Sequence, residues 1–169
     1  MTTDDLYQKL LLKASAYAAR SEHSPKEVEQ KLYAWGGEEL SPELVRRVLE
    51  ALLQDGFIDP ARYAAAYARD KALLLHKGPR LIRRELYEKG ITDRAAIDAA
   101  LAGVEEEEWQ ASLAAYLAPK LRQYRPKAKN GYDLSRRLYA AASGRGFEER
   151  QIRAWMETAR LESEEEDEA

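Results

Sequence analysis

Residues 78–91 read Gly78-Pro79-Arg80-Leu81-Ile82-Arg83-Arg84-Glu85-Leu86-Tyr87-Glu88-Lys89-Gly90-Ile91, and this stretch decides the fold. Proline suits the first position of a helix, where the missing N–H would have had no partner. Ile82 and Leu86, four apart, put an apolar stripe on one side, and Gly90 supplies the stop. The same frame occurs twice more. Pro25-x2-Val28-x3-Leu32-Tyr33 stands 54 residues earlier, and Gly131-x2-Leu134-x3-Leu138-Tyr139 stands 52 residues later. In the helix that follows each, Val45, Val48 and Leu49 correspond to Ile97, Ala100 and Leu101, then to Ile152, Trp155 and Met156. Self-similarity at this period marks units too small to bury a core alone, which stack on their neighbours. The expectation is an all-α chain of three tandem three-helix repeats, 1–58, 59–103 and 104–161, forming an elongated curved array. A disordered acidic tail, 162–169, follows.

The punctuation around these frames is equally helical. Ser24-Pro25-x-Glu27 is a capping box, Gly36-Gly37 closes its helix, and Ser41-Pro42-Glu43 reopens the chain for Leu44, Val45, Val48 and Leu52. Asp5–Arg20 carries Leu6, Leu10, Ala14 and Ala18 at helical spacing. Asp59-Pro60 starts a helix with Tyr63, Ala64, Tyr67, Ala68 and Leu74, and Thr92 or Asp93 caps the next. Glu105 to Glu108 suit the positive end of a long helix whose core side is Trp109, Leu113, Tyr116, Leu117 and Leu121. Helices over 131–143 and 148–159 complete the third repeat. Tyr33, Tyr87 and Tyr139 share one repeat position and are expected between units, hydroxyl outward.

Composition removes several function classes. Among 169 residues 34% are charged and 9% aromatic, too apolar for a disordered chain and too charged for a membrane protein. The first residues carry Asp4 and Asp5 and no small-residue cleavage site, unlike a secretory leader. The absence of cysteine excludes disulfides, a thiolate nucleophile and a Cys-based zinc site, and is compatible with a reducing cytoplasm. Two histidines, His23 and His76, sit at helix ends, where a capping or dipole-complementing role suffices. No phosphate cradle and no Ser, His and Asp spacing suggests catalysis, so the chain reads as a non-enzyme with no cofactor and no metal. The acids at 105–108 suit the helix dipole better than a divalent cation.

The net charge of -3 is unevenly spread. Residues 1–60 hold 7 basic and 11 acidic side chains, residues 61–161 hold 20 and 13, and the last eight add six acids. A basic middle points to an anionic partner. Two segments supply it: Lys77, Arg80, Arg83 and Arg84 around one helix start, and Lys120, Arg122, Arg125, Lys127 and Lys129 with Arg136 and Arg137 on the next helix. Arginines at a helix N-terminus oppose the dipole, a mismatch that a bound phosphate or carboxylate would relieve. In the second segment Tyr124 and Tyr132 are interleaved, as stacking on single-stranded nucleic acid requires. An ordinary solvated face, with pairs such as Arg84 to Glu88, is the competing reading. The acidic tail either solubilises or competes with DNA for the basic face.

In order, His23-Ser24-Pro25-x-Glu27-Val28-x3-Leu32-x3-Gly36, Val48-Leu49-x2-Leu52-x3-Gly56-Phe57-Ile58-Asp59, Arg62-Tyr63-Ala64 and Gly78-Pro79-x2-Ile82-x2-Glu85-Leu86-x2-Lys89-Gly90-Ile91 resemble the RecX family. Arg145-Gly146-Phe147 extends the resemblance, which covers about residues 10–160 and is loosest over the third repeat. Pro60 departs from the acid that the family often has there. The resemblance implies three three-helix repeats and a partner, the RecA–DNA filament, whose extension, ATPase, strand exchange and co-protease activity the chain would limit. It carries no catalytic set, so the eleven basic residues above are nominated by charge placement, for RecA or for single- or double-stranded DNA. A monomer without membrane association is expected. A helical DNA-binding protein acting without RecA is the alternative.

Overall fold

A computed structural model describes residues 1–161, and the acidic tail expected at 162–169 lies outside the described residues. Among the described residues there are nine α-helices, one short 3-10 turn and no strand. The helices are α1 (Thr3–Arg20), α2 (Pro25–Gly36), α3 (Pro42–Gln54), α4 (Pro60–Leu73), α5 (Pro79–Glu88), α6 (Arg94–Ala102), α7 (Glu106–Tyr124), α8 (Gly131–Gly144) and α9 (Glu149–Thr158). They fall into three successive groups of three, the all-α repeat pattern that the frames dictate.

The caps are those that the local chemistry favours. The Ser24 and Ser41 hydroxyls accept from the backbone N–H of Glu27 and Leu44, and Asn130 accepts from Asp133 at the start of α8. Asp59 accepts from Ala61 and Arg62, and Asp93, rather than Thr92, accepts from Ala95. Helix α1 begins two residues before the expected Asp5, because Thr2 and Asp5 form a reciprocal capping box. Between α2 and α3 a short 3-10 turn, Gly37–Glu39, carries the chain to Leu40.

By compactness the chain divides into two units, Met1–Ala66 with Leu86–Ile97, and Tyr67–Glu85 with, among the described residues, 98–161. The first unit is built on Leu6, Leu10, Ala14, Val28, Leu32, Leu44, Val45, Val48, Leu52 and Ile58, all buried. Polar contacts complete it: the Tyr63 hydroxyl donates to Glu27 at 2.9 Å, Arg62 pairs with Glu22 at 2.5 Å, and Lys26 donates to the Glu88 carbonyl at 3.0 Å. In the second unit α7 packs on α8 and α9. Ile82, Leu113, Leu117, Leu138, Phe147 and Ile152 are fully buried there. The division falls within α4, α5 and α6, after Ala66, Glu85 and Ile97.

Three side chains depart from their expected places. Leu74 falls one residue beyond α4 and is 72% exposed, since the helix that would have turned it inward ends at Leu73. Tyr33 and Tyr87 are 45% and 65% exposed rather than packed between units, whereas Tyr139 is half-buried. His23 is more than a surface cap. Its ring stacks on Tyr17 at 4.0 Å and lies 3.0 Å from both the Ser21 hydroxyl and the Glu27 carboxylate.

Candidate nucleic-acid and protein interface

The first basic segment sits where the α4–α5 connection meets the α8–α9 turn, inside the second unit. The Arg145 side chain donates to the Leu75 carbonyl and, at 3.1 Å, to the His76 carbonyl. Its guanidinium also lies 5.3 Å from the Tyr116 ring centroid. The backbone then completes the join: the Gly78 N–H donates to the Arg145 carbonyl at 3.0 Å, and the Arg80 N–H to the Gly146 carbonyl at 2.9 Å. Two glycines make this approach possible. A Cβ on Gly78 would stand 2.3 Å from backbone atoms of Gly146 and Phe147, and Gly146 adopts φ +96° hard against Leu81.

This geometry changes what the start of α5 can bind. At this helix start, where an anion was expected beside the arginines, the N–H groups of Gly78 and Arg80 already donate to carbonyls, and Pro79 has none to give. Carbonyl oxygens, not a phosphate, offset the positive end of that helix dipole. The side chains are also partly committed. Lys77 is half-buried and pairs with Glu85 at 2.7 Å, and Glu85 also accepts from the Tyr67 hydroxyl at 3.2 Å. Arg83 pairs with Asp98 at 2.6 Å. Arg84 is exposed, and so is Arg80, which has no carboxylate within 4 Å among the described residues. Exposed Leu74 and Leu75 stand beside them in the chain.

The second basic segment gathers at the corner where α7 ends and α8 begins. Lys127 and Ala128 donate backbone N–H groups to the Tyr124 carbonyl, folding the connection back on α7. Arg122, Arg125, Lys127, Lys129 and Arg136 are exposed; the first four have no ion pair among the described residues, whereas Arg136 lies near enough to Asp133 to help hold its carboxyl ionised. Lys120 lies 5.9 Å from the Tyr116 ring, a weak cation–π contact. Arg137 is the exception, paired with Asp133 at 3.2 Å. The Asp133 carboxyl is held below the ordinary carboxylate range, chiefly by the backbone N–H of Lys129 and then by Arg137. Leu121, Arg122, Arg125 and Pro126 line a groove of about 420 Å³, and Tyr132 is 49% exposed one turn into α8.

The two segments do not form one patch. One abuts the residues just after α8 and the other the residues just before it. Fourteen residues of helix at 1.5 Å each put the two ends of α8 about 20 Å apart, with Arg136 and Arg137 of the second segment on the helix between them. Sequence reasoning named every exposed cation of the two segments but missed Arg145, whose role is to fix the first segment from below. Its sequence signal is the Arg145-Gly146-Phe147 run quoted above for the resemblance, which gives no hint of this role. The acids of 105–108 serve structure: Glu105 caps α7, and Glu108 accepts from Arg69, which with the Glu105 N–H holds its carboxyl below the usual range. Among the described residues no cluster of three acidic or histidine side chains is placed to hold a metal ion. No described helix is long and apolar enough to cross a membrane.

Comparison with known proteins identifies the architecture. A family model described as RecX, second three-helix domain, matches residues 59–101. The regulatory protein RecX of Xanthomonas axonopodis pv. citri is 35% identical over 144 residues, covering 84% of this chain and 82% of that protein. The regulatory protein RecX of Lactobacillus delbrueckii subsp. bulgaricus is 35% identical over 98 residues, and this chain spans only 36% of its length. A crystal structure of regulatory protein RecX superposes with a TM-score of 0.80 at 22% identity, over 92% of this chain and 73% of that one. RecX from Lactobacillus salivarius gives 0.79 at 23%, over 94% and 99%. At such identities the structures speak for the fold, whereas the Xanthomonas relative, alike over most of both chains, shows that this chain belongs to the RecX family of regulatory proteins.

Proposed function

We propose that the protein binds the RecA–DNA filament and limits its recombinase, ATPase and co-protease activities, as a monomeric, non-catalytic cytoplasmic regulator. Membership of the RecX family carries this reading. The surface of the second unit supports it. A filament of protein on DNA presents both side chains and phosphates, and the two ends of α8 offer matching chemistries. The α4–α5 corner combines exposed leucines with Arg80 and Arg84, as protein contacts do. The α7–α8 corner offers Arg122, Arg125, Lys127 and Lys129, which have no ion pair among the described residues, as phosphate contacts require.

The test is RecA ATPase on single-stranded DNA with the protein titrated in below RecA's own concentration. A fall in rate is expected, and a fall at strongly substoichiometric protein favours action at filament ends. An unchanged rate at equimolar protein, with direct DNA binding that weakens steeply as salt is added, would favour a helical DNA-binding protein acting without RecA. The unpartnered cations of the α7–α8 corner are what keep that second reading in play.

A further inference from the structure

We propose that the groove at the end of α7 is a base-accepting subsite for single-stranded nucleic acid, with one unstacked base against Leu121 and Pro126 and its flanking phosphates on Arg122 and Arg125. The inference rests on the nucleic-acid half of the function proposed above and is independent of RecA.

Three observations converge on it. The groove, at about 420 Å³, is within the range of small-molecule sites, and its floor is apolar. Its two arginines are exposed, lie three residues apart and have no ion pair among the described residues. Side chains at that spacing project from one side of a helix end, about 5–6 Å apart at Cβ. Planar guanidinium groups both pair with phosphate oxygens and stack on bases. The surroundings continue the pattern. Lys127 and Lys129 lead from the groove to α8, where Arg136 and the half-exposed ring of Tyr132 follow.

That order of apolar floor, paired cations, further cations and a ring suits a strand with repeating charge and repeating flat faces. An acidic peptide with one apolar side chain would fill the groove but would leave Lys127, Lys129 and Arg136 unused. A duplex keeps its bases stacked and cannot place one on Leu121 without unpairing it. The site therefore selects for single strands by access to a base, while the cations around it supply affinity without sequence preference.

The test uses the full chain and fluorescence anisotropy at moderate salt. The probes are an oligothymidylate, the same strand with abasic sugars at internal positions, and a blunt duplex of equal length. The abasic strand keeps every phosphate but offers no base. The expected result is that it binds about 5- to 100-fold more weakly than the oligothymidylate. A double variant, Arg122→Ala with Arg125→Ala, should bind both strands more weakly and lose most of the difference between them. Arg150→Ala, whose partner is Glu106 at the other end of α7, should change neither. Circular dichroism checks that each variant remains helical. Equal affinity for the natural and abasic strands overturns the proposal in favour of phosphate attraction alone. Preferred capture of a phenylalanine-bearing polyglutamate peptide overturns it in favour of a protein ligand. Absence of discrimination in a protein that still lowers RecA ATPase would remove this subsite and leave the filament reading standing.

Discussion

Replacing Gly78 by alanine puts a methyl group in place of one hydrogen where the chain passes hard against Gly146 and Phe147, and its effect follows from the geometry. The new Cβ would lie 2.3 Å from Gly146 C and Phe147 N, against the 3.4 Å or more of ordinary contact. Neither neighbour is the free end of a side chain, and Phe147 is fully buried, so the α8–α9 turn has to retreat by about 1 Å. That movement strains or breaks the bonds from Gly78 N–H to Arg145 and from Arg80 N–H to Gly146. Overpacking costs about 1–3 kcal/mol, and two lost backbone bonds add about 1 kcal/mol each. The total, about 3–5 kcal/mol, is a large share of ordinary domain stability. In urea, with a slope of about 1–3 kcal/mol/M, the unfolding midpoint monitored by far-ultraviolet circular dichroism should fall by about 2 M. Two other glycines act as internal standards. Gly144 is helical with nothing within 4 Å of its absent Cβ, so Gly144→Ala should stabilise by about 0.5–1 kcal/mol. Gly56 faces open space at φ +76°, so Gly56→Ala should cost only its backbone strain, about 1–2 kcal/mol. A Gly78→Ala variant no less stable than Gly56→Ala would refute the claim that this crossing is closed.

Further outcomes follow from the same contacts. Arg145→Ala should free the Leu75 and His76 carbonyls and raise amide exchange across 74–80 without melting α8, whereas Arg145→Lys should rescue little, because one ammonium cannot span two carbonyls and a ring as a guanidinium does. Arg80→Ala should weaken inhibition of RecA with little change in stability, while Lys77→Ala should mainly lower the urea midpoint by leaving Glu85 without its ammonium. Equal loss of inhibition in the two, at equal stability, would contradict that division. The carboxyls of Glu108 and Asp133 are both depressed, so the stability they contribute is complete above the ordinary values of 4.5 and 3.8 and is lost as pH falls through the lower folded values. Asp133→Asn should flatten the acid side of the stability curve, and added salt should shrink the difference because the pair with Arg137 is only partly buried.

The helices were legible because each apolar stripe, serine cap and closing glycine acts within a few residues. Ser24 and Ser41 cap where short-range rules put them, and Val28, Ile82 and Leu134, at one repeat position, are all buried. What depended on distant chain was not legible. Nothing near Lys77 in sequence tells that Glu85 holds it or that α5 begins against residues 145–146. The helix start read there as an anion site has its backbone N–H groups occupied from 67 and 66 residues away. Leu74 illustrates the reverse case, a stripe extended one residue past the point where the helix stops. At the α7–α8 corner Arg122, Arg125, Lys127 and Lys129 stay exposed and without ion pairs among the described residues, while Asp133 engages Arg137.

The bonds from Arg145 back to Leu75 and His76 span 70 and 69 residues. A ribosome adding about 5–20 residues per second needs several seconds to make that much chain. For that interval the amino end of α5 has its own residues but not its carbonyl partners, and the Lys77-to-Arg84 cations emerge before the turn that will hold them. A pause in translation near the codons of α7 would lengthen this period, and nascent chains stalled there should show α5 open to proteases that the finished protein resists.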